Sequence, residues 1–180
     1  MMLPLKDLWE SMEITDSSRF IRAVKAIRAN QAHYDAVAEF CRIPWQVVAV
    51  LHTREADGNF NCHLHNGDPL TARTVHVPRG YPLVGEPPFT WEESARDALC
   101  LDNLSGRAGW DDIATTLDRI ERFNGLGYRR RGIPSPYLWA GTNHAPAGKF
   151  TSDGNFDPTA NDAQPGGAGL LKLLGYRTVT

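Results

Sequence analysis

A mainly α-helical single domain over residues 1–180, with a small β or irregular wing, is the fold class this sequence predicts, and three observations predict it. Apolar residues recur at helical spacing in successive segments. Between Asn59 and Pro88 that period lapses, and Gly, Pro, Asn and Thr take over. The chain has 180 residues, 42% of them hydrophobic, enough for one sizeable core and no second domain.

The elements follow in order. Phe20, Ile21, Val24 and Ile27 mark one helical stripe, with Asp16, Ser17 or Ser18 able to cap it. Tyr34, Val37, Ala38 and Cys41 mark a second. A third helix opens at Pro44, which is tolerated in a first turn, and runs through Val47, Val48, Ala49, Val50 and Leu51 with little room for a solvated face. The Asp57-Gly58 pair stops it. In the aperiodic stretch that follows, the short alternation Thr74-Val75-His76-Val77 suggests a small hairpin or an ordered loop. Thr90-Trp-Glu-Glu93 is a capping-box pattern and opens a helix through Ala95, Ala98 and Leu99. Another helix spans Asp111 to Phe123, with Ile113, Leu117 and Ile120 on one face. Asn124 continues that face toward the core or a cleft, where Gly125 and Gly127 end the helix. Residues from Gly132 to Asn161 read as a long irregular segment of the kind that carries function, and a last helix runs from about Gly167 to Leu174.

A formal net charge of −2 and a pI near 6.3 supply no global field for nucleic acid or for an acidic membrane surface. The N-terminal stretch interrupts its apolar residues with charge too early for a secretory signal, and no run reaches membrane-spanning length. The expectation is a protein made in the cytoplasm, with no nucleic-acid partner and no stable membrane insertion. Cys41, Cys62 and Cys100 are odd in number and widely spaced, so free thiols are expected.

Glu55 is the residue best placed for chemistry. It lies one turn after Leu51 and two turns after Val48, on a stripe where desolvation raises a carboxyl pKa, as a general acid at neutral pH requires. The alternative is a helix-terminal ion pair. Downstream, Cys62 to His76 packs one thiol, His63, His65, His76 and Asp68 into fifteen residues. Zinc would need several of these donors to converge, but neither paired cysteines nor a helical two-histidine motif is present, so no metal or other cofactor is expected. The reading preferred is a cleft-lining wing, with His65 toward substrate, Asp68 opposite Glu55 as a water-activating carboxylate, and hydroxyls from Thr71 and Thr74. Asp68 can instead simply build the Asn-Gly-Asp-Pro turn, and Asp57 is the next choice of base. Asn124, Tyr137 and Trp139 offer the amide and aromatic faces that sugar sites use, although both rings can equally anchor loops in a core.

These residues carry a resemblance. Leu51-His-Thr-Arg-Glu55, the stretch from Leu64 to Gly80, Asn124-Gly-Leu-Gly-Tyr128 and Ser135-Pro-Tyr-Leu-Trp139 together resemble the lysozyme-like superfamily, in particular phage and prophage peptidoglycan-degrading proteins, from about residue 30 to the end. In the related lytic transglycosylases and goose-type lysozymes the catalytic glutamate ends a buried helix and is commonly followed by serine; Glu55 matches and Ala56 departs. Phe123-Asn124-Gly125 matches the Tyr-Asn-Gly-like cleft element of those families in part. Asp68 and Thr74 keep the interval between the aspartate and threonine of phage-type lysozymes, at a longer distance from the glutamate.

The resemblance implies a lysozyme-like domain with a glycan-binding cleft and a monomeric muramidase acting on peptidoglycan strands. Glu55 would protonate the bridging oxygen, Asp68 would stabilise the oxocarbenium-like state or activate water, and Thr74 would place that water. It also implies release to the periplasmic or extracellular wall through a separate membrane pore. A lytic transglycosylase is the alternative within the class. Outside it stand a zinc-dependent amidase or peptidase built on His63, His65, His76 and Asp68, and a non-catalytic wall-binding module.

Overall fold

The computed structural model describes residues 2–152 and 155–177 and is mainly helical. By its contacts the chain forms two compact units, one of residues 25–110 and one of residues 1–24 with 111–180.

The unit of residues 25–110 is built on α3 (Gln31–Cys41), α4 (Trp45–Ala56) and α5 (Trp91–Leu101), with α3 packed against both of the others. Tyr34, Val37, Ala38 and Cys41 form the buried stripe of α3, as their spacing predicts. Helix α4 begins after Pro44 and is buried from Val47 through Arg54; it ends at Asp57 in the left-handed conformation. The capping box of α5 is present, with the Thr90 hydroxyl accepting from the Glu93 backbone N–H and the Glu93 carboxylate accepting from Thr90 N.

Between α4 and α5 the wing is an ordered loop without strands. Thr74 N donates to Tyr81 O and Gly80 N to Thr74 O, closing a tight turn where a hairpin was one of the two expectations.

In the other unit, α6 (Ile113–Asn124) packs on α1 (Leu5–Glu10) and α8 (Pro136–Trp139), and α8 packs on α9 (Gly167–Leu173). Helix α2 (Ser17–Ala29) starts in this unit, and Asp16 precedes it, its carboxylate receiving the Ser18 hydroxyl and the Arg19 guanidinium. Of the predicted α2 stripe, Phe20 and Ile27 are buried, whereas Ile21 is 66% exposed. Ile21 lies about 100° round the helix from Phe20, and in α2 that side faces solvent. Gly169 of α9 lies so close to the Phe20 ring that any Cβ there would overlap it. The segment expected to be irregular contains, besides α8, the antiparallel pair β1 (Lys149–Ser152) and β2 (Asn155–Asp157), with Phe150 opposite Phe156. Tyr128, from the short α7 (Gly127–Arg130), accepts the Phe150 backbone N–H and packs edge-on against both phenylalanines.

Candidate functional site

Val47, Val48, Ala49, Val50, Leu51 and His52 are all fully buried, so α4 delivers its last turn from the middle of the core. Glu55, in that last turn, is half-buried rather than on the fully buried stripe the spacing predicts. The turn is braced by rings. His52 sits 4.6 Å from both Phe60 and Trp91, and the Tyr34 hydroxyl and His52 Nδ1 are 3.0 Å apart. Burial holds the His52 pKa down to about 4, so the ring facing Tyr34 is neutral at neutral pH.

The chain then folds back over the end of α4. His63 N donates to Asp68 O, Gly67 N to His63 O, and Cys62 bridges to Pro69, which closes the turn. Gly67 has φ +80, and a Cβ on it would stand 3.3 Å from the Glu55 carbonyl oxygen. A left-handed residue without a side chain is what lets this turn lie against the end of the helix.

Asp68 and Thr74 are both committed to the wing. Asp68 Oδ2 accepts from Val75 N at 2.8 Å and His76 N at 3.0 Å, and Oδ1 lies 2.5 Å from His76 Nδ1. Burial pushes the Asp68 carboxyl up, but these donors outweigh it and hold the pKa at about 2. The Thr74 hydroxyl donates to Pro78 O at 2.6 Å and accepts from Tyr81 N at 2.9 Å. The Asp68 carboxylate is thus bound within the turn by its own hydrogen bonds, and Thr74 has its one donor engaged.

Four further candidates are placed differently from the expectation. The His65 side chain is 1% exposed and its Nε2 lies 3.0 Å from Asp97 Oδ2, so it faces α5 rather than a ligand. Tyr137 and Trp139 are buried in the unit of residues 1–24 and 111–180, Trp139 at 1% exposure with its ring edge-on to His144. The Ser135 cap and Pro136 start α8 there and turn both rings into the core. Asn124, in the same unit, is exposed rather than directed into the core or a cleft. The position that α6 buries one turn after Leu117 is Glu121, drawn inward by its ion pair with Arg129. Glu55, Asp68, Thr74 and His65 thus share one unit, and Asn124, Tyr137 and Trp139 belong to the other.

Among the described residues no three His, Cys, Asp or Glu side chains converge as a metal site would need. The three histidines of the wing turn to protein partners: His63 to Ser94 and Ala72 O, His65 to Asp97 and more distantly Ser94, and His76 to Asp68. Among those residues, too, no helix is long and apolar enough to cross a membrane. Cys41, Cys62 and Cys100 are free thiols.

The residues that sequence reasoning missed are Ser94 and Asp97. Ser94 is fully buried on the face of α5 that also carries Trp91, Ala95 and Ala98. A serine inside an apolar stripe was the available clue, since a buried hydroxyl needs partners. Comparison with family models, with curated proteins and with solved structures yields no match to this chain.

Proposed function

We propose that the protein is a phage-type peptidoglycan-degrading enzyme that cleaves the β-1,4 bond between N-acetylmuramic acid and N-acetylglucosamine, with Glu55 as the general acid. The observation that carries this reading is a single half-buried carboxylate at the end of a core helix, with the turn of residues 63–68 laid over its backbone. The resemblance of the Glu55 and Leu64–Gly80 segments to lysozyme-like proteins points to the same chemistry.

The state of Asp68 favours one course of that reaction. A water-activating base needs a free lone pair and an affinity for protons near the working pH. Asp68 has three donors on its carboxylate and a pKa of about 2. It suits a fixed negative charge beside an oxocarbenium-like state better than proton abstraction. The lytic transglycosylase course needs no second base: Glu55 gives its proton to the bridging oxygen, the glycosidic bond breaks, and a hydroxyl of the muramic acid attacks its own C1 while returning a proton to Glu55. Hydrolysis with Asp68 as an electrostatic partner is the other course.

The test is mass analysis of the fragments released from purified peptidoglycan. Anhydro-muramic ends, one water lighter than reducing ends, identify the transglycosylase, and reducing muramic ends the muramidase. Intact strands, whether cut in the peptide or merely bound, would overturn the proposal.

A further inference from the structure

His63, His65, Ser94 and Asp97 form a continuous chain that joins the wing to α5. His63 Nε2 is 2.8 Å from Ala72 O, His63 Nδ1 is 2.7 Å from Ser94 Oγ, Ser94 Oγ is 3.5 Å from His65 Nδ1, and His65 Nε2 is 3.0 Å from Asp97 Oδ2. Both ends of this chain, a carbonyl and a carboxylate, only accept. Its four links therefore need four protons, while two neutral imidazoles and one hydroxyl supply three.

The distances show where the missing proton falls. Three links are short, and the His65–Ser94 contact is long. With Nε2–H of His63 on Ala72 O, the Ser94 hydroxyl on His63 Nδ1, and Nε2–H of His65 on Asp97, every available proton sits in a short link. His65 Nδ1 then faces the Ser94 oxygen lone pair to lone pair, which accounts for the gap. A Ser-His-Asp order is present, but Ser94 has no exposed surface and its hydroxyl is spent on His63, so the chain joins elements rather than reacts.

We infer that this seam is an acid-sensitive clasp, closed while the buried His65 is neutral and opened by proton uptake on that ring. A proton entering the gap would make a fourth link, but it would place a cation on a side chain with 1% exposure. Asp97 from α5 and, from the wing, Tyr81 and His63 face the His65 ring, the last two with ring centres at 5.5 and 5.8 Å. Asp97 also accepts from Leu83 N, so its charge is shared. Burial lowers the His65 pKa, and Asp97 offsets this only in part. A released, solvated histidine takes up its proton near pH 6.5. The docked wing therefore binds the proton less well than the released wing, and acid favours release. The inference holds whether or not Glu55 acts on glycans.

Imidazole nitrogen NMR and amide hydrogen exchange of the full chain, followed from pH 8 to pH 5, test it. At pH 7.5 His65 should be the neutral Nε2–H tautomer, and the His63 Nε2 should carry a proton toward Ala72 O. Below pH 6.5 the exchange of His63, Gly67 and Leu70 amides, corrected for the intrinsic rate, should rise by up to about tenfold per pH unit, the slope for one proton gained by His65 on release. The α4 amides should stay protected over the upper part of that range and so separate wing release from global unfolding. Asp97→Asn should shift the His65 midpoint further down; the titration of the unaltered chain decides the matter if that variant does not fold. An imidazolium or Nδ1–H form of His65 at pH 7.5 would overturn the inference, as would wing exchange that ignores pH or rises only together with α4.

Discussion

Helix α4 carries Val47 through His52 with no exposed surface, whereas the wing that follows leaves Val75, Val77, Leu83 and Val84 between 57% and 88% exposed. The wing is nonetheless ordered, through Asp68 on two backbone N–H groups, Thr74 across its turn, Arg73 on the carbonyls of Pro82 and Gly85, and the His63–Ser94 link. Helix α4 is held by area removed from water, whereas the wing buries only Leu64, Leu70 and Phe89 among its larger apolar side chains and adds side chains that satisfy backbone groups. Glu55 stands where the two meet, so its setting depends on both.

The comparison breaks first at the helix. Leu51→Ala should cost about 2–5 kcal/mol, because it empties a site with no exposed surface. Val77→Ala, at 88% exposure, should fall within about 0.5 kcal/mol. Denaturant midpoints of the two variants check this, and equal losses would mean that the exposed apolar residues of the wing contribute as much as the core of α4.

Acid sharpens the contrast. The His52 pKa is held down to about 4 by burial, against about 6.5 in the unfolded chain. The unfolded state thus binds the proton first, so stability is whole above pH 6.5 and falls as pH drops toward 4, by on the order of 3 kcal/mol. Asp68, held at about 2, keeps its contribution until pH falls below about 3.8 and loses it toward 2. Denaturation at a series of pH values should show these two windows in that order.

Asp68→Asn should cost about 1–3 kcal/mol, since an amide cannot accept from all three donors. The loss should be local, with faster exchange of the Val75 and His76 amides while α4 is unchanged. If the proposed transglycosylase course holds, the folded variant retains most of its glycan cleavage; a complete loss of turnover would return Asp68 to the chemistry.

This division also explains what could be read from sequence. The stripes of α3 and α5, the Thr90 capping box and the Asp57 stop were legible, because a 3.6-residue period and a cap act on neighbours in the chain. The chain from His63 to Asp97 was not, because it joins positions about thirty residues apart and no periodicity encodes which hydroxyl meets which ring. Tyr137 and Trp139 show the same limit in reverse: a loop rich in aromatics looks the same in sequence whether its rings face a sugar or, as here, the core. Strands β1 and β2 escaped notice because they are four and three residues long, with Gly148 before the first and Pro158 after the second.

One substitution decides the most about function. Glu55→Gln keeps the shape of a half-buried side chain but cannot donate the proton, so in a variant shown folded by a cooperative thermal transition, release of glycan fragments from purified peptidoglycan should fall by about a hundred-fold or more. A folded Glu55→Gln protein that still releases those fragments at the parental rate would contradict the account.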